Sequence, residues 1–136
     1  MPWSHRQTEI DKKPARVLID DRFRSIAPIQ ELPRLAWFGV FCTRDVDIGF
    51  WHPDETAKLD VIEQDLLRLC GQFARGRAVY VMRIDTRGVR EYYLYAGNDS
   101  ALGRVLPNLQ AAHSDYRIEH EKTVDAEWNQ IGRAHV

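Results

Sequence analysis

The chain has 136 residues, of which 44% are hydrophobic and 29% are charged. These values are typical of one soluble globular domain, and they exclude a disordered tail, a collagen-like chain and a disulfide scaffold. The 19 Lys and Arg residues against 20 Asp and Glu residues leave a formal net charge of −1, which weighs against nucleic acid or an anionic membrane as the partner.

The first half of the chain predicts a hairpin, a buried strand and a helix. Residues 3–10 and 15–20 have the composition of short strands around an Asp-Lys-Lys-Pro turn. A charged connection over 21–34 contains two prolines and is expected on the surface. Residues 35–42 are apolar at both odd and even positions, which predicts a strand covered on both faces.

A helix is predicted to start at residues 53–55, where a proline and two acidic residues suit the first turn. Apolar residues then recur at spacings of three and four, which is the pattern of one helix face. That stripe comprises Leu59, Ile62, Leu66, Leu69 and Phe73.

Residues 78–84 and 89–96 are rich in Val and Tyr and predict a β-hairpin. If Asp85 pairs with Gly88, one face of the hairpin is strongly aromatic. That face would carry Tyr80, Met82, Ile84, Val89, Glu91, Tyr93 and Tyr95. We expect it either to pack under the N-terminal hairpin or to be offered to a partner.

The last third of the chain predicts a helix, a strand and a tail. Asn98 is a candidate cap for a second helix that Pro107 should kink or split. A short strand is expected over 116–121, and a polar tail over 125–136 would be anchored, if at all, by Trp128.

From residue 35 onward, the predicted order is strand, helix, strand, strand, helix, strand. This order is typical of a ferredoxin-like α+β sandwich, an antiparallel sheet with two helices on one face. We therefore expect a single domain over 1–136, comprising an N-terminal hairpin (1–20), a βαββαβ core (35–121) and a C-terminal tail (122–136).

The sequence predicts neither export nor membrane insertion. It has no basic start followed by an apolar stretch, and its longest apolar run falls well short of the roughly 20 residues that span a bilayer. Cys42 and Cys70 both lie in apolar segments, as reduced cysteines of cytosolic proteins do. We expect a cytoplasmic protein without a structural disulfide.

Motifs for catalysis or for a cofactor are not found. The five histidines are scattered without an HExxH or CxxC pattern, and the glycines form no phosphate-binding loop. We therefore expect no catalytic residue, no cofactor and no metal.

Two groups of residues are candidates for binding. The aromatic residues Trp51, Tyr80, Tyr93 and Tyr95 form a candidate interaction surface. Near the hairpin tip, Arg83 and Arg90 are candidate contacts for a carboxylate or a phosphate.

Three segments carry a family resemblance. They are the Trp3 region with KPARVLID at 13–20, the hairpin over 78–95, and Asp-Tyr at 115–116 with DAEW at 125–128. Together they resemble a bacterial family of uncharacterised proteins, catalogued as domain of unknown function 695. The resemblance implies the fold and a bacterial cytosolic setting. Some relatives look linked to proteins similar to the regulator of ribonuclease E activity B, which implies a regulatory binding role.

Three functional hypotheses follow. The first is a non-enzymatic protein-binding module, either a small regulator or a toxin-neutralising immunity protein, whose partner is another protein or a second copy of this chain. The second is an RNA-linked regulator, because RNA-recognition motifs stack bases on an aromatic sheet face of this topology. The third is a domain that binds a small anionic ligand through Arg83, Arg90 and a tyrosine hydroxyl.

Overall fold

The described part of the protein is an α+β fold, with a six-stranded antiparallel sheet and two α-helices. The computed structural model describes residues 3–10, 13–23, 27–41, 53–74, 78–86, 88–97 and 101–130. The strands are β1 (Trp3–Ile10), β2 (Lys13–Asp20), β3 (Arg34–Phe41), β4 (Ala78–Thr86), β5 (Val89–Ala96) and β6 (Ile118–Val124). The helices are α1 (Thr56–Ala74) and α2 (Val105–Ala112).

The strands lie in the order β1-β2-β4-β5-β3-β6. The predicted N-terminal hairpin is present, but it does not cover a face of the sheet. Instead it extends the sheet at its edge, because β2 pairs with β4 from Ala15 opposite Thr86 to Ile19 opposite Met82. This pairing satisfies backbone groups that β4 would otherwise expose. The sheet therefore differs in strand number and order from the four-stranded sheet of the prediction.

The two helices cover one face of the sheet, which we refer to as the helix face. The predicted stripe on α1 is buried there, including Leu59, Ile62 and Leu66, and it packs with Phe38 of β3 and Leu94 of β5. Burying each such side chain contributes about 1.5–3 kcal/mol. The helix-face core therefore follows directly from the spacing of apolar residues along α1.

The second helical segment begins with a 3-10 turn (Ala101–Arg104) and continues as α2. Pro107 lies in the first turn of α2. Backbone N–H groups in a first turn have no acceptor within the helix, so a proline there removes no hydrogen bond. The segment changes helix type before the proline, and Asn98 lies outside the described residues.

The opposite face of the sheet is partly covered by the connection between β2 and β3 and by the segment after β6. Phe23, Leu32 and Trp128 are buried there against side chains such as Met82 and Tyr95. The prediction that residues 21–34 form a surface connection is therefore wrong at Phe23 and Leu32, because the face that the helices leave open needs apolar cover.

The β4–β5 hairpin has a different register from the predicted one. Thr86 pairs with Val89, and Asp85 pairs with Arg90 rather than with Gly88. Gly88 lies in the connection with φ = 74°, a conformation that costs glycine little. The hairpin therefore closes one pair later than the prediction.

A β-bulge interrupts the same hairpin between Tyr80 and Met82. A bulge inserts an extra residue into one strand and reverses the alternation of side chains beyond it. Tyr80 consequently packs on the helix face, whereas Met82 and Tyr93 pack on the opposite face. The prediction that Tyr80 shares a face with Tyr93 and Tyr95 is wrong for this reason.

None of the helices in the described ranges combines the length and the apolar character that a membrane crossing requires.

Candidate functional site

An open groove lies on the sheet face away from the helices, beside the part that Trp128 covers. Side chains of β3, β5 and β6 line it, and its volume is about 700 Å³. The lining residues are Leu35, Trp37, Glu91, Tyr93, Glu121, Lys122 and Thr123. We refer to it as the Trp37 groove. Leu35 also belongs to the apolar cluster around Trp128, so the floor of the groove is continuous with the core.

Strand register brings the central residues of the groove together. Trp37 on β3 pairs with Tyr93 on β5 and, on its other side, with Glu121 on β6. Side chains directly opposite each other on neighbouring strands have Cβ atoms about 4.5–5.5 Å apart. The indole, the phenol and the carboxylate therefore form one row across the sheet.

The indole of Trp37 is held in one orientation. A Cβ atom placed on Gly39 would lie 2.5 Å from Cζ2 of Trp37, so the ring occupies the space that a side chain at position 39 would need. The indole Nε1 donates a hydrogen bond to Oε2 of Glu91 at 2.9 Å. Glu91 is the β5 partner of Gly39. The glycine thus lets the ring lie over the strand, and the carboxylate fixes it there.

The groove is aromatic and acidic. Burial raises the pKa of the Tyr93 hydroxyl, and the negative charge of Glu91 raises it further, so this hydroxyl stays protonated at neutral pH. Trp37 and Tyr93 are both half-buried. Aromatic faces next to carboxylates are suited to contacts with cationic or aromatic side chains.

Tyr95 is not a surface residue, which corrects its predicted role in the interaction surface. It is fully buried and stacks on Trp128, with ring centroids 4.1 Å apart and an angle of 8° between the planes. Its hydroxyl donates to Oδ2 of Asp125 at 2.6 Å. The tail folds back over the sheet and covers this tyrosine. Trp51, another predicted surface residue, lies outside the described residues.

Tyr80 contacts other parts of the fold and does not line the groove. Its hydroxyl donates to Oε1 of Glu63 on α1 at 2.9 Å, and its ring lies 5.2 Å from that of Trp3. Burial raises the pKa of this hydroxyl, and Glu63 adds to the shift. Of the predicted aromatic residues in the described ranges, Tyr93 alone lines the groove.

The predicted anion contacts face carboxylates of the protein itself. Arg90 Nε donates to Oδ1 of Asp85 at 2.7 Å, Arg16 Nη2 lies 2.9 Å from Oδ2 of the same residue, and Arg83 Nη1 lies 3.0 Å from Oε1 of Glu63. Burial acts to raise the pKa of Asp85, but the hydrogen bonds and charges of Arg90 and Arg16 outweigh it and hold the pKa below its ordinary value. The structure thus places Arg83 and Arg90 in an internal ion network.

Reactive groups are few in the ranges that the structure describes. Cys70 is buried, and burial raises the pKa of its thiol to about 12, so the thiolate is not populated near neutral pH. Among the described residues, no three His, Cys, Asp or Glu side chains are grouped as metal ligands. Cys42 lies outside those residues.

Sequence reasoning missed Trp37, Glu91 and Glu121 as site residues. It predicted β3 to be covered on both faces, whereas Trp37 is only half-buried. One local signal was available. Trp37 and Gly39 are two residues apart and therefore lie on the same face of the strand, and an aromatic ring can pack over a glycine in a sheet.

The comparisons with known proteins identify a family without assigning an activity. The model of a family of unknown function, DUF695, matches residues 2–131, a segment that contains the whole groove and Trp128. No curated protein and no solved structure matches the chain. The chain belongs to the DUF695 family.

Proposed function

We propose that this chain is a non-enzymatic protein-binding domain and that the Trp37 groove is its contact surface. The observation that supports this is a half-buried aromatic pair, Trp37 and Tyr93, in an open groove of about 700 Å³. Aromatic anchors in preformed pockets dominate the energy of protein interfaces. Because the indole is already fixed by Glu91, binding costs little side-chain entropy.

The acidic lining favours a protein partner over RNA. Bases can stack on aromatic side chains of a sheet face, but the carboxylates of Glu91 and Glu121 would repel the phosphates that dominate nucleic-acid affinity. An RNA-linked regulator that binds a ribonuclease through this groove is compatible with the proposal, since that contact is between proteins.

We infer that β3 to β6 with α1 and α2 form a ferredoxin-like sandwich, to which β1 and β2 are added. The supporting observations are the neighbour order β4-β5-β3-β6 and the packing of both helices on one face. We also propose a cytoplasmic location and a role as a small regulator or an immunity protein, because either role requires a compact domain that occupies a partner's surface.

The test is affinity capture of the tagged full chain from an extract of the cells that express it, with and without nuclease. Trp37→Ala is compared with Trp3→Ala as a matched control. Trp3 is a half-buried tryptophan on β1, which is the edge strand at the opposite end of the strand order from β6. Circular dichroism verifies that both variants are folded.

We expect a nuclease-resistant protein that Trp3→Ala retains and Trp37→Ala loses. Equal recovery by the two variants would show that the groove is not the contact surface. Recovery that nuclease abolishes would favour the RNA-linked alternative.

A further inference from the structure

The charge of the Trp37 groove comes from carboxylates. Glu121 is exposed and lines the groove together with Glu91. Lys122 contributes to the rim, but it pairs with Ala36, whose side chain lies in the helix-face core. Burial lowers the pKa of His120, which stacks on Phe38 of that face, and the positive charge of Lys122 lowers it further. Two carboxylates against one ammonium group give the groove lining a net negative formal charge, and the ammonium group belongs to the rim.

The same sheet face holds a guanidinium over an aromatic ring two rows further along, beyond the row that contains Gly39 and Glu119. Arg117 lies with its guanidinium carbon 3.8 Å from the centroid of Phe41. Its Nε is 3.8 Å from Oε1 of Glu119 on β6. An aromatic residue of β3, a glutamate of β6 and an arginine thus form one group, and the arginine is supplied by the chain.

The Trp37 row holds the same two kinds of side chain in a different register, since Glu121 lies directly opposite Trp37 whereas Glu119 pairs with Gly39. Trp37 is the aromatic residue of β3, and its β6 partner is Glu121. No arginine is among the described residues that line the groove. Guanidinium groups stack on aromatic faces and bind carboxylates through two parallel hydrogen bonds, which ammonium groups cannot do.

We propose that the Trp37 groove binds an arginine side chain of the partner protein, which stacks on the Trp37 and Tyr93 rings and pairs with Glu121. This inference rests on the proposed function and specifies the chemistry of its partner. A partner with an exposed arginine in a basic segment fits the groove, since the ring faces and the carboxylate attract the same cation.

The direct test uses the full-length protein and three short glycine-rich peptides, which carry arginine, lysine or citrulline at the same position. Citrulline has nearly the shape of arginine but no charge. The readout is the indole N–H resonance of Trp37 in nitrogen-15 NMR spectra. Trp128 serves as an internal reference, because its indole is buried and donates to the Leu32 carbonyl oxygen.

We expect the arginine peptide to shift the Trp37 resonance in a saturable manner and to leave that of Trp128 unchanged. The lysine peptide should bind several-fold more weakly, and the citrulline peptide should produce no saturable shift. Glu121→Gln should weaken binding of the arginine peptide about tenfold. Glu9→Gln, which neutralises an exposed strand carboxylate on β1, should leave binding unchanged.

Equal shifts with the citrulline or lysine peptide, or no shift at saturating arginine peptide, would overturn the inference. Competition in the capture experiment separates this failure from failure of the proposed function. If Trp37→Ala loses the partner while Glu121→Gln and free arginine leave its recovery unchanged, the groove binds a protein by other chemistry. If the arginine peptide binds but Trp37→Ala keeps the partner, the arginine site stands and the proposed contact surface fails.

Discussion

Truncating Trp128 should destabilise the protein more than any change in the groove. Trp128 is 1% exposed, stacks on Tyr95 and lies 5.9 Å from the ring of Phe23. Its indole N–H donates to the Leu32 carbonyl oxygen at 2.8 Å. Trp128→Ala removes these contacts together and uncovers one end of the sheet face.

The expected magnitude follows from these contacts. Truncation of a buried tryptophan to alanine costs about 3–5 kcal/mol, and the lost hydrogen bond accounts for about 1 kcal/mol of that figure. Total stability of a domain is about 5–15 kcal/mol, so Trp128→Ala leaves a marginal fold. Trp128→Phe retains a stacked ring but loses the donor, and we expect a loss of about 1–2 kcal/mol.

Backbone conformation adds a second expectation at this position. Trp128 has φ = 55°, in the left-handed region. Glycine normally costs about 0.5–1 kcal/mol relative to alanine. At this φ, Trp128→Gly should be at least as stable as Trp128→Ala, since alanine retains the backbone strain and glycine relieves it.

The assay is urea denaturation at pH 7, followed by far-UV circular dichroism, of wild type, Trp128→Ala, Trp128→Phe, Trp128→Gly and one control. Tyr95→Phe, which removes the hydrogen bond to Asp125 and keeps the ring stack, is a matched control and should lose only about 1 kcal/mol. A Trp128→Ala protein within about 1 kcal/mol of wild type would refute the reasoning, because such a small loss is incompatible with a buried anchor.

Three further predictions concern single residues. Asp85→Asn removes the buried carboxylate that pairs with Arg90, leaving it the 3.9 Å ion pair with Asp60, and should cost about 3–5 kcal/mol at pH 7. Because the folded pKa of Asp85 lies below its unfolded value, the stability that this pKa difference contributes is present above about pH 4 and is lost as the pH falls through the folded pKa. The variant should lack this part of the acid dependence when urea titrations at pH 7 and pH 3 are compared. Gly39→Ala places a methyl group 2.5 Å from the Trp37 ring and should displace the indole, so partner capture should fall as in Trp37→Ala while circular dichroism shows a folded protein; unchanged capture would contradict the role of the glycine. Cys70, with a thiol pKa of about 12, should resist iodoacetamide at pH 8 in the native state and react in urea, and rapid native labelling of its peptide by mass spectrometry would contradict its burial.

Local patterns predicted the elements of this fold well. The stripe from Leu59 to Phe73 predicted α1, and the β-rich runs on either side of residues 85–88 predicted the β4–β5 hairpin. These signals succeed because helix and strand periodicities are properties of short segments. The α+β class followed from the order of the elements.

Features that depend on distant contacts escaped prediction. The bulge between Tyr80 and Met82 leaves no periodic signal, yet it decides which face Tyr80 occupies. The burial of Tyr95 depends on Trp128, more than thirty residues later along the chain. The Trp37 groove likewise needs three strands in register, and its residues are identified only once Trp37, Tyr93 and Glu121 are adjacent.

The position of β3 in the sheet has a consequence for how the protein is made. β3 is the third strand in the sequence, but both of its neighbours, β5 and β6, follow it by dozens of residues. Contacts of such sequence separation slow folding. During translation, β3 has both edges open until β5 emerges and one edge open until β6 emerges, and an open apolar edge invites pairing with other chains. Fragments that end before residue 118 should therefore aggregate.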